Sequence, residues 1–164
     1  MRILGIDPGL ATMGYGIIDI IGNKNKLIEY GTIETEPTLR LPERLAKIYT
    51  ELTSLIDFYQ PDEAAFEELF FNKNIKTAIT VAQARGVEVL ACVNKNLPIY
   101  EYTPLQIKQA VVGYGRAEKI QVQEMMRILF NLEKIPKPDD AADGIAVAVC
   151  HGSSIRFKDE FLMR

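Results

Sequence analysis

The chain has 164 residues, of which 48% are hydrophobic, and its formal net charge is −3. This length and composition predict one compact domain, exclude a membrane span of about 18 apolar residues, and leave no apolar leader in MRILGIDPG, so we expect a cytoplasmic protein without a membrane partner. The small negative charge, taken alone, argues against a nucleic-acid partner.

The cysteines and the histidine suggest neither a zinc site nor a disulfide framework. Cys92 and Cys150 have no CxxC or histidine-spaced partner, and we expect both to be small core residues. The single histidine, His151, lies eleven residues beyond Asp140 in the last predicted helix. That separation is too long for the two side chains to share a metal ion, so His151 is expected to be structural.

The start of the chain predicts three antiparallel strands. RILGID is a short apolar run that ends at the turn signal Pro8-Gly9. MGYGIIDI and KLIEYGTIET follow, separated by the loop IGNKN. Sequential strands joined by short loops usually pair antiparallel.

The apolar residues then change to a helical period. Residues 39–60 carry leucine and isoleucine at helical spacing and stop before Pro61. The strand EAAFEE, a helix from Ile75 to Asn94, the strand PIYEYT and helical segments from Leu105 follow in turn. Alternating strands and helices predict parallel pairing, so we expect an α/β fold with a mixed five-stranded sheet flanked by helices.

The predicted helix from Ile75 to Asn94 has apolar residues around most of its circumference. Such a helix is either deeply buried or packs against a second partner. A core helix and a subunit interface are equally compatible with the pattern. In a two-fold dimer, the small residues Ala78, Ala82 and Ala91 would allow two copies of the helix to approach closely.

Four carboxylates are expected to gather at one end of the fold. Asp7 ends the first strand and Glu67 ends the run EAAFE, so they project from the same edge if these strands are neighbours. Asp140 and Asp143 begin the last helix and share one face. Asp139, directly before them, is expected to cap the helix.

Each of these acids also has a simpler interpretation. Asp7 can begin an Asx turn, and Asp140 and Asp143 can be solvated acids at a helix start. Glu67, however, follows a buried strand and needs a cation, water or hydrogen-bond donor, whereas Glu68 points to the other face. Four oxygen donors without histidine or cysteine suit Mg²⁺ or Mn²⁺, and two such ions can stabilise the attacking and leaving oxygens of a phosphodiester.

The motifs, taken together, resemble one family. ILGIDPG, TMGYG, FEELFFNKN, QARGV, KQAVVGYGRAEKIQVQ and DDAADGIAVAV occur in the order and spacing of the RuvC family of Holliday junction resolvases, over roughly residues 2–155. The resemblance implies a ribonuclease H-like domain over 1–155, a short tail over 156–164, and a homodimer. It implies a Mg²⁺-dependent endonuclease that makes paired nicks in four-way DNA junctions during recombination and repair, with RuvA and RuvB as branch-migration partners.

The family's metal ligands match Asp7, Glu67, Asp140 and Asp143 of this sequence. The resemblance implies two Mg²⁺ ions in each active site, with Mn²⁺ as a substitute. The DAAD match favours Asp140, although Asp139 and Asp143 are four residues apart and also share a face.

The residues expected to contact DNA are aromatic or basic. The resemblance implies that Lys108 and Lys119 act at the scissile phosphate and that Phe70 wedges into the junction. Phe71 is the alternative aromatic residue for this role. Either phenylalanine can instead be a core residue. The candidate phosphate contacts are Lys73, Lys76, Arg85, Lys108, Arg116 and Lys119.

Three other functions fit parts of the sequence. DPGLATMG resembles the phosphate loop of actin-like and sugar-kinase ATPases, but 164 residues leave no room for the second domain that encloses their nucleotide. A ribonuclease H-like nuclease that acts on RNA is the second alternative. A junction-binding protein without catalysis is the third, and the four carboxylates disfavour it.

Overall fold

The computed structural model describes residues 1–22, 24–69 and 75–163, without the side chains of residues 75–77. Its strands are β1 (Arg2–Asp7), β2 (Thr12–Ile21), β3 (Lys24–Glu34), β4 (Glu63–Glu67) and β5 (Ile99–Tyr102). In this part of the chain they form one sheet of order β3-β2-β1-β4-β5. β1, β2 and β3 pair antiparallel, whereas β4 and β5 run parallel to β1, which confirms the predicted mixed sheet.

The hairpin between β2 and β3 is longer than predicted. The strands continue to Ile21 and resume at Lys24, so most of the predicted loop IGNKN is paired backbone. Gly22 has a φ of 61°, a conformation that glycine adopts without strain. This residue lets the chain reverse in a tight turn.

The helices cover both faces of the sheet. They are α1 (Leu41–Tyr59), α2 (Ile75–Asn94), α3 (Pro104–Val112), α4 (Lys119–Leu129) and α5 (Asp139–Ser154). Leu4 and Ile6 point into a core with α1 and α2, whereas Ile3 and Ala65 point into a second core with α3, α4 and α5. None of the helices in the described ranges is long and apolar enough to cross a membrane.

Helix α2 has a buried face and an exposed apolar face. Ile79, Leu90 and Val93 are each at least 50% exposed, whereas Ala84 and Ala91 are fully buried in the core. The prediction that Ala91 lies at a subunit interface is therefore wrong, because its side chain already packs inside its own chain. The remaining exposed stripe keeps the interface hypothesis open for this helix.

Helix α5 packs on β1 and β2 with almost no side chains between the backbones. A Cβ atom on Gly14 would lie 1.8 Å from the carbonyl oxygen of Asp140, and one on Gly144 would lie 2.6 Å from the backbone of Tyr15. A Cβ atom on Gly5 would lie 2.3 Å from the carbonyl oxygen of Gly144. Glycine is required at these positions because the two backbones touch. The contact brings the start of α5 to the end of β1.

The side chains expected to be structural are buried. The ring of His151 contacts the Tyr102 hydroxyl at 2.7 Å and a Glu63 carboxylate oxygen at 2.8 Å. Burial is the main cause that lowers the pKa of His151, and Glu63 opposes it. Cys92 and Cys150 are buried free thiols. These positions confirm the structural roles predicted for the histidine and both cysteines.

The C-terminal residues pack on the sheet edge. A 3₁₀ helix (Ile155–Phe161) follows α5, and Lys158 pairs with the buried carboxylate of Glu63. Leu162 then forms an antiparallel bridge with Tyr100 of β5. The predicted tail is thus ordered against β5 as far as residue 163, while the domain boundary after residue 155 stays a prediction.

We expect Gly144→Ala to lower the free energy of unfolding by about 3 kcal/mol, because the new Cβ would overlap the backbone of Tyr15. Gly152→Ala is the matched control in the same helix. Its Cβ would meet the ends of side chains and no backbone, the nearest being the flexible Ile20 side chain at 3.1 Å, so the change should stay below about 1 kcal/mol. Urea denaturation measures both values, and equal losses would contradict the backbone-contact interpretation.

Candidate active site

Parallel pairing places two carboxylates at one edge of the sheet. Ile6 of β1 is aligned with Phe66 of β4. The next residues, Asp7 and Glu67, are the last of their strands, so both strands end at the same edge. This pairing confirms that the first and fourth strands are neighbours.

Helix α5 adds its acids to the same edge. Asp7 is aligned with Gly14 across β1 and β2, and the backbone of Asp140 lies directly over Gly14. Asp143 follows three residues later on the same face of α5. The structure therefore brings the four predicted carboxylates into one neighbourhood.

The environment of these acids opposes their negative charge. Burial is the main cause that raises the pKa of Asp7 to about 8, and the charges of Glu67, Asp143 and Asp140 add to it. Burial likewise raises the pKa of Glu67 to about 7, with a contribution from Asp143. A cation placed among these groups would lower the pKa values of both Asp7 and Glu67, because it favours their charged forms.

A lysine supplies positive charge at this point. The Lys119 ammonium lies 2.8 Å from a carboxylate oxygen of Asp143. Burial acts to lower the pKa of Lys119, but Asp143, Asp140 and Asp139 outweigh it, so the pKa is raised. Burial also raises the pKa of Asp143, although Lys119 opposes that rise. Asp143 therefore forms a salt bridge with Lys119, whose ammonium group is positively charged, as a metal ion would be.

The fit of the site to a metal rests on its donor chemistry. No three Asp, Glu, His or Cys side chains in the described ranges already point at one common metal position. The salt bridge to Lys119 occupies an oxygen of Asp143. All four acids offer oxygen only, which fits a hard divalent cation once Asp143 is released.

A small pocket opens beside the acids. Its volume is about 210 Å³, and Glu67, Asp143, Lys108 and Lys119 contribute its charged walls. Apolar side chains of α3, α4 and α5 form the remainder, namely Pro104, Ile107, Val122 and Ala146. Two carboxylates and two ammonium groups therefore face one cavity at the sheet edge.

Only some of the predicted DNA contacts can be located. Lys108 and Lys119 line the pocket, and Arg116 is exposed in the turn before α4. Phe70, Phe71, Lys73 and the side chain of Lys76 lie outside the described residues.

Arg85 has a partner inside the protein. Its guanidinium lies 2.7 Å from a carboxylate oxygen of Glu101, and its side chain is only 22% exposed. This ion pair joins α2 to β5. A half-buried, paired guanidinium is poorly placed for a phosphate, so the geometry argues against the predicted DNA contact and favours a structural role.

The predicted cap at the start of α5 is wrong. Pro138 occupies the N-cap position, and Asp139 is the first helical residue. The Asp139 carboxylate instead accepts a hydrogen bond from Lys137 at 2.7 Å, and this bond is the main cause that lowers its pKa. The sequence could not distinguish adjacent aspartates, because a one-residue shift of the helix start moves each to a different face.

Glu88 on α2 is a further candidate that was not predicted from the sequence. Its side chain is fully buried, and its Oε1 accepts a hydrogen bond of 3.3 Å from the backbone N–H of Gly9, two residues beyond Asp7. A signal was present in the sequence, because Ala84, Glu88 and Ala91 occupy one helical face. An acid on an otherwise small and apolar face indicates a buried carboxylate.

We expect Asp7→Asn to stabilise the metal-free protein more at pH 8 than at pH 5. The folded chain retains the Asp7 proton up to about pH 8, whereas the unfolded chain releases it near the ordinary pKa of 3.8. Stability therefore falls as the pH rises between these values, and the asparagine removes that loss. Thermal melts with a chelator should show a rise of about 3 °C or more at pH 8 and less than half of that at pH 5. An equal rise in the thermal midpoint at both pH values would contradict the raised pKa of Asp7.

Comparisons with known proteins agree with this architecture. The family model described as crossover junction endodeoxyribonuclease RuvC matches residues 3–151. The enzyme of that name from Finegoldia magna is 62% identical over 162 residues, which cover 98% of this chain and 99% of the relative. The one from Alkaliphilus oremlandii is 57% identical over the full length of both chains.

A solved structure extends the likeness to the fold. Thermus thermophilus RuvC in complex with Holliday junction substrate has a TM-score of 0.90 and 32% identity, and the match covers 95% of each chain. This agreement confirms the ribonuclease H-like arrangement of the five-stranded sheet and its helices. The chain therefore belongs to the RuvC family of crossover junction endodeoxyribonucleases.

Proposed function

We propose that this protein is a nuclease that resolves four-way DNA junctions by hydrolysing two symmetrically related phosphodiester bonds. The observation that carries the proposal is the meeting of Asp7, Glu67, Asp140 and Asp143 at one edge of the sheet, beside a pocket with two lysines. Membership of the RuvC family supplies the substrate class. The role is DNA recombination and repair.

The four carboxylates are the proposed ligands of two Mg²⁺ ions, for which Mn²⁺ can substitute. Oxygen-only donors and the raised pKa values of Asp7 and Glu67 support a divalent cation at this position. Bound metal supplies charge stabilisation for the attacking and leaving oxygens of the phosphodiester. With metal bound, the four acids would place the reacting phosphate near the end of β1.

The two pocket lysines have a complementary role. Lys119 pairs with Asp143 in the metal-free protein, and its ammonium would be free to face the phosphate if that carboxylate bound metal instead. Lys108 borders the same pocket from α3. Positive groups held at that distance from the acids stabilise the negative charge that develops on the phosphate oxygens.

The proposed DNA surface extends from this pocket. Exposed Arg116 contacts phosphates, and the same role is proposed for Lys73 and Lys76. Phe70 or its neighbour Phe71 stacks on unpaired bases of the junction. RuvA, RuvB and a cytoplasmic location complete the proposal, and these rest on the family resemblance alone.

A symmetric dimer fits this reaction. Each site cuts one strand, so two cuts related by the two-fold symmetry of the junction need two sites with the same symmetry. The exposed face of α2 supports an interface because its apolar side chains lie at helical spacing. These residues are Ile79, Ala82, Leu90 and Val93, with Gly86 between them.

We expect Asp7→Asn, Glu67→Gln, Asp140→Asn and Asp143→Asn each to lower single-turnover cleavage at least about 100-fold, because each removes a metal ligand. Junction affinity should remain within about threefold, since none of these groups binds phosphate directly. Asp139→Asn is the matched control and should retain cleavage, because Asp139 already pairs with Lys137.

The assay uses a synthetic four-way junction with Mg²⁺, and an RNA–DNA hybrid in parallel. Cleavage of the junction alone supports resolution, whereas cleavage of the hybrid alone would replace it with an RNA-directed activity. A ligand variant that cuts at the wild-type rate is misassigned. If Asp139→Asn abolishes cleavage and Asp140→Asn does not, the register of the two aspartates is reversed.

We expect Ala82→Arg to convert a dimer in solution to monomers, because it places a charge in the exposed apolar stripe of α2. Ala46→Arg, at an exposed alanine of α1, is the control and should stay dimeric. Light scattering measures the mass of both variants. Wild-type protein that is monomeric at micromolar concentration and remains so on junction DNA would contradict the interface.

A further inference from the structure

Glu88 is a buried carboxylate with an incomplete set of partners. It lies on the inner face of α2, where Ala84, Ala91 and Cys92 belong to the apolar core. Its side chain has no exposed surface, and no group in the described ranges bonds to its Oε2 atom. Burying a carboxylate in this way costs stability, so a packing role alone does not explain it.

The one hydrogen bond of Glu88 reaches the turn that carries Asp7. Its Oε1 accepts from the N–H of Gly9 at 3.3 Å. Pro8 has no backbone N–H, so Gly9 offers the first main-chain donor after Asp7. The turn itself is tight, because a Cβ on Gly9 would lie 2.0 Å from the carbonyl oxygen of Thr12. Glu88 thus holds a rigid turn directly behind the first proposed ligand.

We propose that Glu88 is a positioning residue for cleavage: it fixes the Asp7-Pro8-Gly9 turn against α2 and so aims the Asp7 carboxylate at the metal. This inference rests on the proposed function. Helix α2 is a firm support for the turn, because Arg85, one turn earlier, joins it to Glu101 of β5. Helix α2 therefore contacts the turn after β1 and the strand β5, which lie on either side of β4 and its last residue Glu67.

The hydrogen bond does not require a charged Glu88. Burial is the main cause that raises its pKa to about 8, the Gly9 bond and Arg85 act against the rise, and Asp7 adds to it. A neutral side chain that keeps an oxygen acceptor can therefore replace it. Glutamine has such an acceptor, whereas methionine has similar length and no strong one.

The test compares Glu88→Gln with Glu88→Met in junction cleavage over a range of Mg²⁺ concentrations. Glu88→Gln should cut within about threefold of wild type with an unchanged half-saturating Mg²⁺ concentration. Glu88→Met should lose about tenfold or more in rate and need about tenfold more Mg²⁺. Its thermal midpoint should be unchanged or higher, because the unpaired oxygen is gone. Junction affinity should not change.

Glu63→Met provides a control for buried carboxylates. Glu63 begins β4, at the end opposite Glu67, and binds His151. Its loss should lower the thermal midpoint without changing the Mg²⁺ requirement. The same pattern in Glu88→Met would show a structural role only and overturn the inference.

Hydrogen exchange gives a readout that needs neither DNA nor cleavage. The Gly9 amide should be protected in metal-free wild type and in Glu88→Gln, and should exchange at least about tenfold faster in Glu88→Met. An unprotected Gly9 amide in wild type overturns the inference even if Glu88→Met does not fold. If wild type fails to cut junctions, the proposed function fails, and Gly9 exchange together with the Mg²⁺-induced thermal shift still decides the role of Glu88.

Discussion

The site depends on direct contact between the backbone of α5 and the backbones of β1 and β2. Gly5, Gly14 and Gly144 leave no side chain at this contact, so the helix lies closer to the sheet than any larger residue would allow. The acids in the first turns of α5 consequently reach the end of β1. Two rigid elements, and not a loop, set the separation of these carboxylates, which is the arrangement that precise metal chemistry requires.

The same contact makes the site electrostatically unfavourable when no metal is bound. Asp7 and Glu67 lose hydration and face other acids, which raises both pKa values. Lys119 pairs with Asp143, and its charge offsets only part of the rise at Asp7 and Glu67. The fold tolerates this cost because both faces of the sheet carry apolar cores. Burial of apolar side chains in those cores stabilises the fold enough to hold together acids that repel one another.

The sequence predicted the features that depend on periodicity and on where strands end. It did not predict the roles of side chains that are set by a partner distant in the chain. Alternating apolar runs located the strands and helices, and the positions of Asp7 and Glu67 followed from where two strands stop. The pairing of Arg85 with Glu101 and the bond from Gly9 to Glu88 join segments far apart in the chain. Periodicity indicates that one face of an element is buried, but it does not indicate which residues of other elements pack against that face.

Helix α2 links the proposed dimer to chemistry at the sheet edge. Its outer stripe is available to a second copy, while its inner face holds the turn after Asp7 through Glu88 and reaches β5 through Arg85. A helix is stiff along its axis, so a partner that fixes the outer face also restricts the inner one. In the proposed dimer, contact through this stripe would therefore restrict the same turn that Glu88 contacts, because both contacts act on a single helix. Paired cutting and correct placement of Asp7 would then have a common structural origin.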